Sequence, residues 1–241
     1  MRNDGRQTPS SLASSAKPKH EAPAVKKTKT DQMCKNLLMF GGSGHAKDTI
    51  HIAKAMGYRN FKIVTSDGSC DIAELSAMKE DACLPENYKD WDCTVAIGDN
   101  THRRRFFETY PSLRFVSIIA PSADISETAK IAAGCYIGAH AYIGPDSNLE
   151  QGCIVNTHSI VGHDSTIGAY SQVGPKVCIS GNVAIGESVF IGAGATLNNG
   201  STGTPLSIPK NVHIGMGCII THSIKHEGIR LIPKPNYIAV K

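Results

Sequence analysis

The sequence predicts a small α/β domain followed by a parallel β-helix, and three observations carry the prediction. From Ile125 to Leu197 an aliphatic residue stands at every sixth position without a break, through Ile131, Ile137, Ile143, Leu149, Val155, Val161, Ile167, Val173, Ile179, Ile185 and Ile191. Two residues before each of them the side chain is small, as at Ala123, Cys135, Ser147, Cys153, Ser165 and Ala195. Upstream, the apolar run Leu37–Phe40 ends in Gly41-Gly42-Ser43-Gly44-His45, after which Ala46, Ile50, Ala53 and Met56 fall at helical spacing. A six-residue period matches neither an amphipathic helix nor a simple strand alternation. It is the period of a solenoid in which each repeat makes one short flat side and stacking buries the aliphatic column.

Taken in order, residues 1–34 form a basic tail rich in Ser, Pro and Lys, a composition expected to be disordered. Between Met1 and Gln32 seven Lys or Arg stand against three acids, which is the whole of the formal excess of +4. The rest of the chain is balanced, which argues against a nucleic-acid-binding face. Residues 35–118 read as a half-Rossmann unit of three or four parallel strands. Leu37–Phe40, Phe61–Val64 and Thr94–Ile97 are the strand candidates, and a helix carrying Arg103, Arg104 and Arg105 follows the third. Residues 119–225 are the β-helix, with turn signals over 198–212 where the register breaks, and 226–241 read as a cap on its open end. No apolar run is long enough to span a membrane. The eight Cys form no C-x-x-C pair, so reduced cysteine in a cytoplasmic protein is expected, with no metal site.

Two stretches carry chemistry. A strand, glycine turn and helix let the backbone approach a phosphate and offer it the unpaired N–H groups of a helix N-terminus. An acid after the second strand, here Asp67, is a common ribose or base contact. Within the repeat, Asn156-Thr157-His158-Ser159-Ile160-Val161-Gly162-His163-Asp164 places polar side chains on the wall without disturbing the register. An imidazole beside a carboxylate is suited to general-base work near neutral pH.

The combination of Gly-Gly-Ser-Gly-His-Ala-Lys, Ile97-Gly98-Asp99-Asn100-x-x-Arg103 and a hexapeptide domain with Asn156 and His163-Asp164 resembles one family. This is the nucleotide-sugar N-acetyltransferases of the left-handed β-helix superfamily, grouped with sialic acid O-acetyltransferases, and the resemblance covers roughly residues 35–225. It implies a homotrimer with active sites between neighbouring β-helices, acetyl-CoA as cosubstrate, and N-acetylation of a nucleotide-linked 4-amino-4,6-dideoxy sugar, with UDP the expected nucleotide. By the same resemblance His163 is the catalytic base, with Asp164 and Asn156 arranging it. Ser43, Gly44, His45, Asp67, Asn100 and Arg103 contact the nucleotide sugar, and Gln172, Gly181 and Ala193 the coenzyme.

The chain departs from the family pattern in three places. Gln172 stands where some relatives have a second His, a loop is inserted near 200–209, and Pro233-Lys234-Pro235-Asn236 replaces the usual Gly-x-Pro-Ala ending. Three rival readings remain. One is sialic acid O-acetylation on the same scaffold. Another is a metal enzyme of the γ-carbonic-anhydrase kind built on His158 and His163, although Ser122 stands where its third His belongs and His140 is the one nearby substitute. The last is a trimer without catalytic function. Cys135 and Cys153, at the inward small position, are read as core.

Overall fold

The computed structural model describes residues 35–201 and 203–233. The basic tail over 1–34, Thr202 and the C-terminal residues 234–241, including Lys234, Pro235 and Asn236 of the altered ending, lie outside the described residues.

The first unit is a parallel sheet of five strands rather than three or four. Strand β1 (Lys35–Phe40) leads through the glycine turn into α1 (Gly44–Ala55), β2 (Tyr58–Thr65) and β3 (Ala77–Lys79). After β4 (Asp92–Val95) come α2 (Asn100–Thr109) and β5 (Arg114–Phe115), and the strand order is β3-β2-β1-β4-β5. The two additional strands are short and sit at the sheet edges, where no periodic signal marks them. Leu37, Leu38, Met39 and Phe40 are fully buried, as expected of a central parallel strand covered on both faces. The order reverses between β1 and β4, so the carboxyl ends of these two strands flank the crevice where open α/β sheets hold ligands.

From Ile118 onward the chain is a left-handed parallel β-helix of three flat faces. Each strand pairs with its counterpart one coil, or three hexapeptides, further on, as Tyr142 with Ile160 and Ile143 with Val161. Face 1 has seven strands, beginning with Ile118–Ile119 and Tyr136–Ile137; face 2 has six, beginning with Asp124–Ile125 and Tyr142–Ile143; face 3 has five, beginning with Lys130–Ile131. The second residue of each two-residue strand points inward, and the column Ile137, Ile143, Leu149, Val155, Val161, Ile167 and Val173 is fully buried. The small residues two positions earlier turn inward at the corners. Where they are polar, each is satisfied by a carbonyl of the adjoining coil: Ser147 Oγ donates to Gly162 O, Ser159 to Gly174 O, and Ser171 to Gly186 O, at 2.7–3.0 Å. Burying an unpaired hydroxyl costs about 1–3 kcal/mol, so these bonds are what permit Ser in the core.

From Gly134 to Gly194 each corner contains a residue in the left-handed region, including His140, Asp146, His158, Asp164, Lys176 and Asn182 at φ between 56° and 58°. Asn, Asp and His tolerate that conformation better than other non-glycine residues.

The insertion is shorter than the turn signals over 198–212 suggest. The repeat resumes at Leu206–Ile208, which pairs with Val183–Ile185. The step from Ile185 to its partner Ile208 exceeds the step from Ile143 to Val161 by five, and the extra residues lie after Leu197. A complete further coil follows, and Arg230–Leu231 adds a last strand to face 1. The chain after Leu197 therefore contributes a full coil and one further strand, Arg230–Leu231, within the segment read as a cap.

The outward positions differ from face to face. Face 1 presents Ile118, Tyr136 and Ile154, which pack with Leu37, Ile52, Ala53 and Tyr58 of the α/β unit. Face 2 presents Tyr142, Ile160 and Ile219, which are 37%, 42% and 75% exposed. Face 3 presents Lys130, Asn148, Thr166 and Ser207.

Candidate active site

The mouth of the α/β unit lies at the ends of β1, β2 and β4. A cavity of ≈ 570 Å³ is lined there by Gly42, Ser43, Thr65, Asp71, His102 and Arg105, among others. Gly41 has φ 110°, and a Cβ there would meet Ala96 O at 2.6 Å, so the tight turn itself requires glycine. Gly44 differs: a Cβ would meet nothing within 4 Å. Space is thus left open at the first residue of α1. Ser43 is the residue before the helix, and its hydroxyl makes no capping bond. Its hydroxyl and the first N–H groups of α1 are available to an anion.

Three of the expected nucleotide contacts are placed otherwise. Asp67 does not line this cavity; its carboxylate accepts from Ser69 N at 2.9 Å and Ser69 Oγ at 2.8 Å, closing its own turn. Those bonds hold its carboxyl below the usual range; Asp71 and Glu80 are the acids on the lining, and Glu80 pairs there with Arg105 at 2.7 Å. Arg103 is corrected from a ligand contact to a joint between the two units. It is 0% exposed. Nε donates to Gly152 O at 2.8 Å, Nη1 to Ile97 O and Gly98 O, and Nη2 to Asn100 Oδ1 and Tyr170 O. Five acceptors saturate the fork of a guanidinium, leaving nothing for a substrate. Burial lowers its pKa to about 10, so it remains charged at neutral pH. Asn100 is drawn into the same joint, its Nδ2 donating to Val189 O at 3.1 Å.

His45 faces the junction as well. Its ring lies edge-on to Tyr136 at 4.5 Å, and its Nε2 is buried with no partner among the described residues. Burial, aided by the charge of Arg103, pulls its pKa down to about 4. Gln172 belongs to face 1, and its Oε1 is likewise buried without a partner among the described residues, beneath Gly98. With Asn100, Phe190, His213 and Arg230 it lines a second cleft of ≈ 440 Å³ between α2 and face 1. Phe190 and His213 stack there at 4.5 Å. The sequence reading missed this cleft, because its signal lies in outward residues that stand a full coil or more apart.

The β-helix presents the other half of the chemistry at the corner between faces 2 and 3. His163 Nδ1 lies 2.7 Å from Asp164 Oδ2. Asp164 sits at φ 57° and its N–H donates to Pro145 O at 2.9 Å, which fixes the direction of the carboxylate. With Nδ1–H committed to Asp164, Nε2 is the free basic nitrogen. It lies over Gly181, one coil further on, where any Cβ would overlap the imidazole. This is why the position is Gly. The pair borders a cavity of ≈ 400 Å³ completed by Asn182, Asn199, Gly200 and Gly203.

One chain does not assemble every predicted residue. Asn156 and Ala193 belong to corners between faces 1 and 2, whereas His163, Asp164 and Gly181 belong to the corners between faces 2 and 3. Asn156 Oδ1 accepts from Thr157 N at 2.7 Å. His158 stacks on His140 at 5.0 Å at the corner opposite His163, so the two His of the metal reading are not brought together within the chain. No group of three or more His, Cys, Asp or Glu able to hold a metal ion occurs among the described residues.

Residues 36–110 match the family model of the PglD N-terminal domain, and residues 164–199 match that of the bacterial transferase hexapeptide, six repeats. No curated protein matches the chain by sequence. Among solved structures, the chain is similar to a variant of perosamine N-acetyltransferase from Caulobacter crescentus in complex with CoA and GDP-perosamine. The two are 28% identical, with a TM-score of 0.73 over 78% of this chain and 90% of that one. It is also 28% identical to the acetyltransferase domain of PglB from Neisseria gonorrhoeae, with a TM-score of 0.72 over 81% of this chain and 95% of that one. WeeI from Acinetobacter baumannii, at 19% identity and a TM-score of 0.71 over 83% and 98% of the two chains, shares the fold.

The buried His45 generates a pH dependence. Its folded pKa of about 4 lies below the ordinary 6.5, so the unfolded state binds the proton more readily. Stability is therefore complete above pH 6.5 and falls as pH drops toward 4, by at most about 3 kcal/mol. Thermal melts of the ligand-free protein between pH 4 and 7 should show that slope, and His45→Phe, which keeps a ring against Tyr136, should flatten it.

Proposed function

We propose that this chain, which belongs to the hexapeptide-repeat acetyltransferases carrying a PglD-type N-terminal domain, N-acetylates the amine of a nucleotide-linked 4-amino-4,6-dideoxy sugar with acetyl-CoA as cosubstrate. The observation that carries the mechanism is the His163–Asp164 pair at 2.7 Å with its free nitrogen over Gly181. The complex of the Caulobacter relative with CoA and GDP-perosamine supports the substrate class. UDP is the nucleotide favoured by the sequence resemblance; that same complex is the specific observation in favour of GDP.

The reaction needs a neutral amine and a place for its proton. The amine lone pair attacks the thioester carbonyl carbon, an N–C bond forms, and His163 Nε2 takes the proton released from nitrogen. Backbone N–H groups at the corner stabilise the oxyanion. The intermediate collapses by breaking its C–S bond, and the imidazolium returns the proton to the departing sulfur, leaving an amide and the free thiol of CoA. Asp164 holds the tautomer and stabilises the imidazolium while it exists. The inward cysteines offer no nucleophile for a covalent acyl-enzyme. Cys135 and Cys153 are both 0% exposed inside the helix, and burial pushes the Cys153 thiol well up.

The active site forms between copies in a homotrimer. Face 1 is occupied by the chain's own α/β unit, and face 3 is polar. Face 2 leaves large apolar side chains, Tyr142, Ile160 and Ile219, uncovered, with Cys178 and Thr196 between the last two. Packing around this face sets the Asn156 and Ala193 corner of one copy beside the His163 and Gly181 corner of the next. That brings together the residues a single chain keeps at opposite edges of one face.

Three outcomes test this reading. His163→Ala should lower kcat by about 10² to 10⁴ in a thiol-release assay run over UDP-, GDP- and dTDP-linked 4-amino sugars and sialic acids, with nucleotide-sugar binding retained. Turnover only on sialic acid would move the reaction to O-acetylation. Gly181→Ala should leave the melting temperature within a few degrees while bringing turnover down toward the His163→Ala level, because the added methyl displaces the imidazole. Ile160→Asp should yield monomers by light scattering and lose turnover while still binding nucleotide sugar; an active monomer would show that one chain suffices.

A further inference from the structure

The five residues added after Leu197 fall beside the catalytic corner and nowhere else. The chain leaves face 2 there, folds back in a bridge in which Ser201 and Thr204 exchange two backbone hydrogen bonds of 2.9 and 2.8 Å, and re-enters face 3 at Leu206. Asn182 anchors the excursion from the coil below. Its side-chain Nδ2 donates to Ser201 O, its carbonyl accepts from Leu206 N at 3.1 Å, and its own N–H donates to His163 O at 2.8 Å. Gly200 N donates to Gly181 O at 3.1 Å. The insertion is thus tied by hydrogen bonds to the two residues that frame the imidazole.

The result is one wall of the ≈ 400 Å³ cavity, with His163, Asp164 and Gly181 on one side and Asn199, Gly200 and Gly203 on the other. Among the described residues no Lys or Arg lines it, and Asp164 contributes the negative charge present. A sugar diphosphate would find no positive partner there, whereas the α/β mouth offers it a helix N-terminus and Arg105, whose charge Glu80 already shares. The lining suits a neutral chain of amides. One N–H of each of Asn182 and Asn199 is engaged by the carbonyls of Ser201 and Gly200, so Oδ1 and the second N–H of each remain to meet the N–H and C=O of a ligand amide. The arm that joins the thiol of coenzyme A to its nucleotide is uncharged and carries two secondary amides.

We infer that the insertion, anchored by Asn182, is a donor-specificity element that holds the amide-bearing arm of acetyl-CoA alongside His163. The inference rests on the reading of His163 as the base of acetyl transfer. The insertion is dispensable for the solenoid: deleting Ser201–Pro205 restores Ile208 to the spacing that the other coils keep. Asn182→Gly provides a second variant. It removes the side-chain anchor, and glycine accepts the φ of 58° found there.

Steady-state kinetics and calorimetric titration with CoA, on the full-length protein and both variants, test it. Both variants should raise the KM for acetyl-CoA and the Kd for CoA about tenfold or more. The KM for the nucleotide sugar should stay within about twofold, and the pH profile of kcat should be unchanged. Unaltered CoA affinity in both variants would overturn the inference, as would a rise confined to the KM of the nucleotide sugar, which would assign the wall to the acceptor. Wild-type protein that bound no CoA would instead overturn the acetyl-transfer reading, and this inference with it.

Discussion

Everything in this molecule hangs on closing each coil in three hexapeptides. Backbone N–H groups reach the carbonyls of the adjoining coil all along the helix, for example Tyr142 N to Ser159 O and Gly144 N to Val161 O at 2.9 and 2.8 Å. The interior has room for one aliphatic side chain per face and a small residue at each corner. An inward polar group is tolerated only where it meets a carbonyl of the adjoining coil, as the Ser residues do. Extra residues cannot be taken up within a face without breaking two ladders, so they leave at a corner. Variation on such a scaffold is confined to the outward wall and the corners, and the His163–Asp164 pair stands at one of those corners.

The relation between the two units depends on a buried cation. Arg103 carries its charge into the junction and meets carbonyl dipoles in place of a carboxylate. A buried charge stripped of its partners costs several kcal/mol, which makes this joint sensitive to the placement of Gly152 and Tyr170 on the helix and of Ile97 and Gly98 after β4. The same backbone segment that ends β4 lines the clefts on either side of it, through Ile97 in one and Gly98 to Thr101 in the other. Holding Arg103 therefore holds the mouth of the α/β unit at a fixed height on face 1.

The inward column, the glycine turn and the His163–Asp164 pair were legible in the sequence, because each depends on local spacing. Outward residues were not. Tyr142, Ile160 and Ile219 share a face only after the coils stack, and as sequence they are unremarkable aliphatic and aromatic residues beside the period. Arg103 was misread for a related reason. The resemblance assigned it to the nucleotide sugar, and carbonyls that saturate a guanidinium leave no trace in residue identity. Asp67 shows the limit from the other side: an acid after a strand fits a ribose or its own turn equally well, and Ser69 two residues later decided between them. Gly181 was expected to face the thioester, yet the visible reason for glycine is the imidazole of His163 resting on it.

The three faces divide the work in a way that bears on the chemistry. One is sealed by the chain's own α/β unit, one is polar, and one carries exposed aliphatic side chains. The nucleotide end belongs to the sealed face, whereas the free nitrogen of His163 lies beyond the far edge of the apolar one. In the proposed reaction a sugar held in the α/β unit would reach the base across the width of a face in its own chain, or across a shared seam in another copy. Such a seam would also exclude water. A thioester exposed to solvent hydrolyses without result, while one enclosed between two helices meets only the amine delivered to it. In the proposed trimer, association would supply proximity and exclusion together at the corner that bears His163.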